Sequence, residues 1–174
     1  MAVVVVVTLL AIAPRVGADE VIDRVLAVAG GELITQSDVA AVRALGFVAV
    51  PAAPPNATPD QQTRAIVSAL IDRALMLAEV DRYAPPEPSA EAVDGELRTV
   101  REKFPSDKAF ADALARVGLD EKYLRDILRQ NLRIRAYIDE RFAVAEDQQR
   151  ALVSEWVNGL RRRATVSELD PSAR

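Results

Sequence analysis

The side chains that could carry chemistry are carboxylates, guanidiniums and a few aromatic rings, because the chain has 26 Asp and Glu, 22 Lys and Arg, and no cysteine or histidine. That inventory removes thiol and imidazole nucleophiles, the Ser-His-Asp triad, and the usual zinc and haem ligand sets. Four groups remain. Asp139-Glu140 is an adjacent acid pair of the type used in carboxylate catalysis, but it lies in a helical stretch beside Arg135 and Arg141, where surface ion pairing accounts for it. Glu87, Glu91, Asp94 and Glu96 could suggest a calcium site, yet their spacing is not that of an EF-hand and first helical turns favour acids. Arg161-Arg162-Arg163 could meet a phosphate or a lipid; at a helix C-terminus such a run more simply complements the macrodipole and stays solvated. Trp156, the one tryptophan, stands on an apolar helix face, which predicts a core filler. No reaction centre emerges.

The whole-chain balance narrows the field further. A net charge of −4 and a pI near 5.0 oppose nucleic-acid binding, which needs a basic face. Aromatic residues make up 5% of the chain, too few for a stacking platform along single strands. Binding, scaffolding and folding functions are left.

The elements that would position such a surface can be read in order. Residues Ala2 to Ala13 are apolar apart from Thr8. As a helix they would span about 18 Å, short of the roughly 30 Å hydrocarbon core, so stable membrane insertion is not expected. Val16-Gly17-Ala18 offers small residues for a signal peptidase, predicting a signal peptide over 1–18 and a mature chain of 156 residues from Asp19, although no basic side chain precedes the apolar run. The competing reading is a buried strand made from the valine run.

Val21 to Ala29 and Glu32 to Thr35 flank Gly30-Gly31 and predict a β-hairpin, since two glycines supply the positive φ of a primed turn. Thr35 and Asp38 have the spacing of a capping box, predicting a helix from about Gln36 to Leu45 that stops at Gly46. Phe47 to Pro59 carries four prolines and no charge, which forbids regular structure. Either its apolar residues are exposed and grip other chains, or the loop folds back on the bundle. Thr58-Pro59-Asp60 opens a helix to Tyr83 whose apolar positions cover so much of its circumference that it should be central. Ser89, Ser106 and Asp120 cap three further helices, the last reaching about Phe142, and Glu146 to Arg163 forms a final one. Ala164 to Leu169 alternates and suits a closing strand, with a polar tail over 170–174 expected to fray. The predicted fold class is mainly α: a helical bundle with a small β-sheet formed by the N-terminal hairpin and the C-terminal strand, in a single domain over 19–169.

This order of elements resembles the chaperone core of the SurA family. Asp23 to Val28 followed by Glu32 to Val39 looks like the family's opening strand pair and first helix, and Ala69 to Met76 is similar to its central helix. The run from Ala113 through Leu119-Asp120 to Ile138 resembles its helix pair. Ala151 to Val157 and Leu160 to Val166 resemble the last helix and strand, which in the family follow one or two parvulin-type isomerase domains and here follow Phe142 to Ala145 directly. A parvulin domain needs on the order of 90 further residues and uses histidines, so the resemblance implies a core without prolyl isomerase activity.

The resemblance implies an ATP-independent periplasmic holdase, not an enzyme, that binds unfolded outer-membrane proteins or extended apolar peptides and needs no cofactor. The expected client-binding residues are Phe47, Val48, Val50, Phe104, Phe110, Tyr123 and Tyr137. The alternative is a non-catalytic periplasmic adaptor with one dedicated envelope partner.

Overall fold

The computed structural model describes residues 23–169. The predicted signal peptide and its competing strand, the first residues of the opening run, and the polar tail lie outside the described residues.

Strands β1 (Val25–Ala29) and β2 (Glu32–Thr35) form the hairpin, antiparallel with Ala29 opposite Glu32 and Val25 opposite Thr35. Gly30 and Gly31 turn the chain at φ +60° and +87°, a backbone that only glycine adopts without strain. Gly30 has a second reason to be glycine: a Cβ there would lie 2.9 Å from the Ala74 carbonyl oxygen, so the turn rests directly on a helix backbone.

Among the described residues six helices follow: α1 (Gln36–Leu45), α2 (Pro59–Tyr83), α3 (Ala90–Arg101), α4 (Asp107–Arg116), α5 (Glu121–Arg141) and α6 (Glu146–Arg163). Their starts obey the capping chemistry read from the sequence. Thr35 and Asp38 exchange hydrogen bonds across the first turn of α1, as Thr58 and Gln61 do for α2. Ser89, Ser106 and Asp120 each accept from a backbone N–H three residues on. Only α6 begins without a side-chain cap, at Ala145.

The short strand β3 (Ser167–Glu168) returns to pair antiparallel with β1, giving the order β2-β1-β3. The chain is therefore mainly α with a small three-stranded sheet closed by its C-terminal segment. The closing strand is shorter than its alternating sequence predicts: two residues form the ladder, and the Leu169 N–H extends it to the Leu26 carbonyl at 2.8 Å.

Three apolar clusters hold these elements together. The first joins Leu26, Ala27 and Ile34 of the hairpin to Val39 and Val42 of α1, Ile66 to Leu75 of α2, and Leu160 of α6. The second packs Leu45 against α3, α4 and the first half of α5. The third is small: Leu77 and Val80 of α2 with Ile134 and Tyr137 of α5. Helix α2 enters the first and third clusters, the central place its broad apolar surface predicts. Among the described residues none of the fully buried ones is charged, and no helix is long and apolar enough to cross a membrane.

Three of the four acids in and just before α3 are turned toward α5. Asp94 pairs with Arg125, Glu96 with Arg135 at 2.7 Å, and Glu87 with Arg133 at 3.4 Å. Arg135 is thereby engaged away from Asp139-Glu140, correcting the expected pairing. Asp139 instead accepts from Gln149 of α6.

Candidate functional site

Helix α6 is the least embedded wall of the bundle. Of its 18 residues only Gly159 and Leu160 are buried, and Leu152, Val153, Trp156 and Val157 are half-exposed. It therefore leans on α2 and α5 without sealing against them, and a groove of about 760 Å³ stays open between them. Phe47, Val48 and Pro51 form one wall; Ala65, Ala69, Arg73 and Met76 of α2 form the floor; Ile134 and Ile138 of α5 and Val153 and Val157 of α6 complete it. A cleft of this size and lining is of the kind that takes a ligand. From Ala65 to Met76 the α2 floor runs about 16 Å at 1.5 Å per residue, the reach of about five residues of extended chain.

Hydrogen bonds fix the rim. Asn131 on α5 donates from Nδ2 to the Phe47 carbonyl at 2.8 Å, and Lys103 donates to the Gly46 carbonyl at 2.9 Å. The proline-rich loop is thus tied back against the bundle with Phe47, Val48 and Val50 half-buried on the core, and it still gives Phe47 and Val48 to the groove. Of the two alternatives read from the sequence, the loop takes the folded-back one, with part of its apolar surface left facing the groove.

On the far wall, Arg161 of α6 reaches α2. Its Nε donates to Asp72 and its Nη2 to the Ser68 carbonyl and hydroxyl, each at 2.8 Å. The expectation that all three arginines of this run stay solvated is corrected: Arg161 faces the bundle because helical spacing puts it one turn beyond Val157 and beside Leu160, on the packed side of α6.

Three of the seven expected client-binding residues lie at or behind the groove, Phe47 and Val48 on it and Val50 against the first cluster. Phe104 is half-buried against Phe110 in the second cluster, ring centroids 5.6 Å apart. Phe110 (2% exposed) and Tyr137 (6% exposed) are corrections, because both are core residues with no surface to offer a client. Helical spacing places Phe110 on the same face as Ala113 and Leu114, and Tyr137 on that of Ile134, so packing claims both rings. Tyr137 sits between Tyr83 and Trp156, at 5.2 and 5.5 Å, and burial pushes its phenol pKa up. Tyr123 is 55% exposed at the start of α5, outside the groove.

The residues missed by sequence reasoning are Arg73, Met76, Asn131, Ile134, Ile138, Val153 and Val157. The four aliphatic residues on α5 and α6 were legible as apolar helix faces, though not as faces left uncovered. Arg73 and Asn131 gave no signal, since charged and amide residues on a helix read as solvated. Trp156 packs on the first and third clusters as a core filler should, but its Nε1 is buried without a hydrogen-bond partner. Such an orphan donor costs about 1–3 kcal/mol.

No protein-family model matches the chain, and no curated protein matches it at a significant level of sequence similarity.

Proposed function

We propose that this protein is an ATP-independent holdase of the periplasm, a SurA-type core without isomerase domains, that binds unfolded segments of outer-membrane proteins. The single observation that carries the reading is the open apolar groove between α2, α5, α6 and the Phe47 loop. Holding a client needs apolar surface that the fold keeps out of its own core, and the half-exposed face of α6 supplies it. Burial of client apolar surface, at about 25 cal/mol per Å², favours the complex, and the backbone entropy lost on ordering the client, about 1–2 kcal/mol per residue, opposes it. Two terms of similar size leave any binding weak and reversible, which suits a protein that must release what it holds. The acidic surface keeps a loaded complex soluble.

The reading is tested by diluting a urea-unfolded outer-membrane barrel protein into buffer with a stoichiometric excess of the mature chain. Suppressed turbidity, with no acceleration of prolyl isomerisation in a peptide assay, is the expected result. Unchanged aggregation contradicts it. A crosslinking pull-down that returns one folded envelope partner, instead of many unrelated barrel precursors, would favour the adaptor.

A further inference from the structure

Among the described residues, the groove contains a cation that has no anion in ion-pair contact. Arg73 stands on α2 where the Phe47 loop meets α5. Its Nε donates to Asn131 Oδ1 at 2.8 Å, and its Nη2 to Gln130 Oε1 at 2.6 Å and the Ile127 carbonyl at 3.5 Å. All three acceptors are neutral. Among the described residues no carboxylate lies within ion-pair distance of Arg73, and Nη1 has no hydrogen-bond partner; Tyr123, Glu32 and Asp38 act on it only from further away. The other charges of the groove are already matched, Asp72 by Arg161 and Arg135 by Glu96. Burial is the largest influence on Arg73 and pushes its pKa down. A guanidinium nevertheless stays charged, so the fold bears a half-buried cation whose planar fork is oriented by amides.

We propose that Arg73 is a carboxylate subsite of this groove, and that it takes the free C-terminal carboxylate of an apolar polypeptide segment lying along the Ile134, Val153 and Val157 walls. The inference rests on the peptide-binding reading of the groove. Two observations favour a chain terminus over an acidic side chain. A segment apolar enough to fill these walls brings no side-chain anion, and its end is then its own carboxylate. Asn131 also holds Arg73 and the Phe47 carbonyl at once, so loop and α5 are tied together beside the guanidinium. A chain that stops at such a seam fits better than one that must cross it.

The test uses one apolar peptide, fluorescently labelled at its N-terminus, as the C-terminal acid, the C-terminal amide, and the amide with one internal Asp. Anisotropy is read against the full mature chain, Arg73→Met and Arg73→Lys. Wild type is expected to prefer the acid over the amide by roughly 5–10-fold, the scale of one partly exposed charge-assisted hydrogen bond. Arg73→Met should bring the two within about 2-fold, and Arg73→Lys should keep part of the preference. Equal affinity of acid and amide for wild type, a comparison that needs no variant to fold, overturns the subsite and leaves the groove reading standing. A preference that survives in Arg73→Met overturns the assignment to Arg73. Full recovery of affinity by the internal Asp overturns the choice of a chain end. Absence of binding by all three peptides overturns the groove reading and the subsite with it.

Discussion

Replacing Arg161 by Met should loosen the wall of the groove that has least support of its own. Helix α6 buries only Gly159 and Leu160, and its side-chain hydrogen bonds to other elements, among the described residues, are those of Arg161 to Asp72 and Ser68 and of Gln149 to Asp139. A hydrogen bond to a charged group is worth about 1.5–3 kcal/mol and a neutral one about 0.5–1.5 kcal/mol. The Arg161 and Asp72 side chains are 29% and 31% exposed, so water recovers part of that sum. A net loss of about 2 kcal/mol is expected, or roughly 4–8 °C in Tm for a domain of this size. Methionine retains the stem that packs against α2, so the loss reports the guanidinium and not a cavity. The assay is urea unfolding followed by circular dichroism, with an unchanged m-value and a lower midpoint. Asp72→Asn completes a double-mutant cycle whose coupling should exceed about 0.5 kcal/mol. A loss below about 0.5 kcal/mol, or no coupling, would refute the clamp and return Arg161 to the solvated role that its neighbours suggest.

Three other outcomes follow from local geometry. Gly30→Ala should cost at least about 1 kcal/mol more than Gly31→Ala in urea midpoint, since both positions need positive φ but only Gly30 abuts the Ala74 carbonyl. Trp156→Phe should change stability by less than about 1 kcal/mol, because it removes the orphan Nε1 along with some packing against Tyr137 and Phe142, whereas Trp156→Ala should cost about 2–4 kcal/mol. The hydrogen bond from the Ser37 hydroxyl, then that from the Thr35 side chain and those from the Ser37 and Arg24 backbone, outweigh desolvation and hold the Asp23 carboxyl below its ordinary value near 3.8. Its stabilising effect is therefore present above that pH and lost as pH falls through the lower folded value, so Asp23→Asn should flatten the decline of the urea midpoint between about pH 4 and pH 2.

Local chemistry made most of the fold legible. The Thr35–Asp38 and Thr58–Gln61 boxes, Ser89, Ser106 and Asp120 mark helix starts through bonds that span three residues, and Gly46 marks a stop through its own φ. The pairing of β1 with β3 was the one long-range expectation, and the hairpin's need for a partner on its free edge supports it. The site was less readable because a binding surface is defined by what fails to cover it. Val153 and Val157 have the same spacing whether a neighbour seals them or not. Phe110 and Tyr137 look like free aromatic grips until packing assigns them to the core. Arg73 depends on the absence of a carboxylate around it, a property of the tertiary structure alone.

Crosslinking from the groove itself tests the central claim most directly. A photoreactive residue is placed at Val157, on the groove wall, or at Tyr123, exposed but outside it, and each protein is mixed with an unfolded outer-membrane barrel protein. Adducts that form from position 157 and compete away with excess apolar peptide, with little product from position 123, are the predicted result. Equal adducts from both positions, or adducts from position 123 alone, would contradict it.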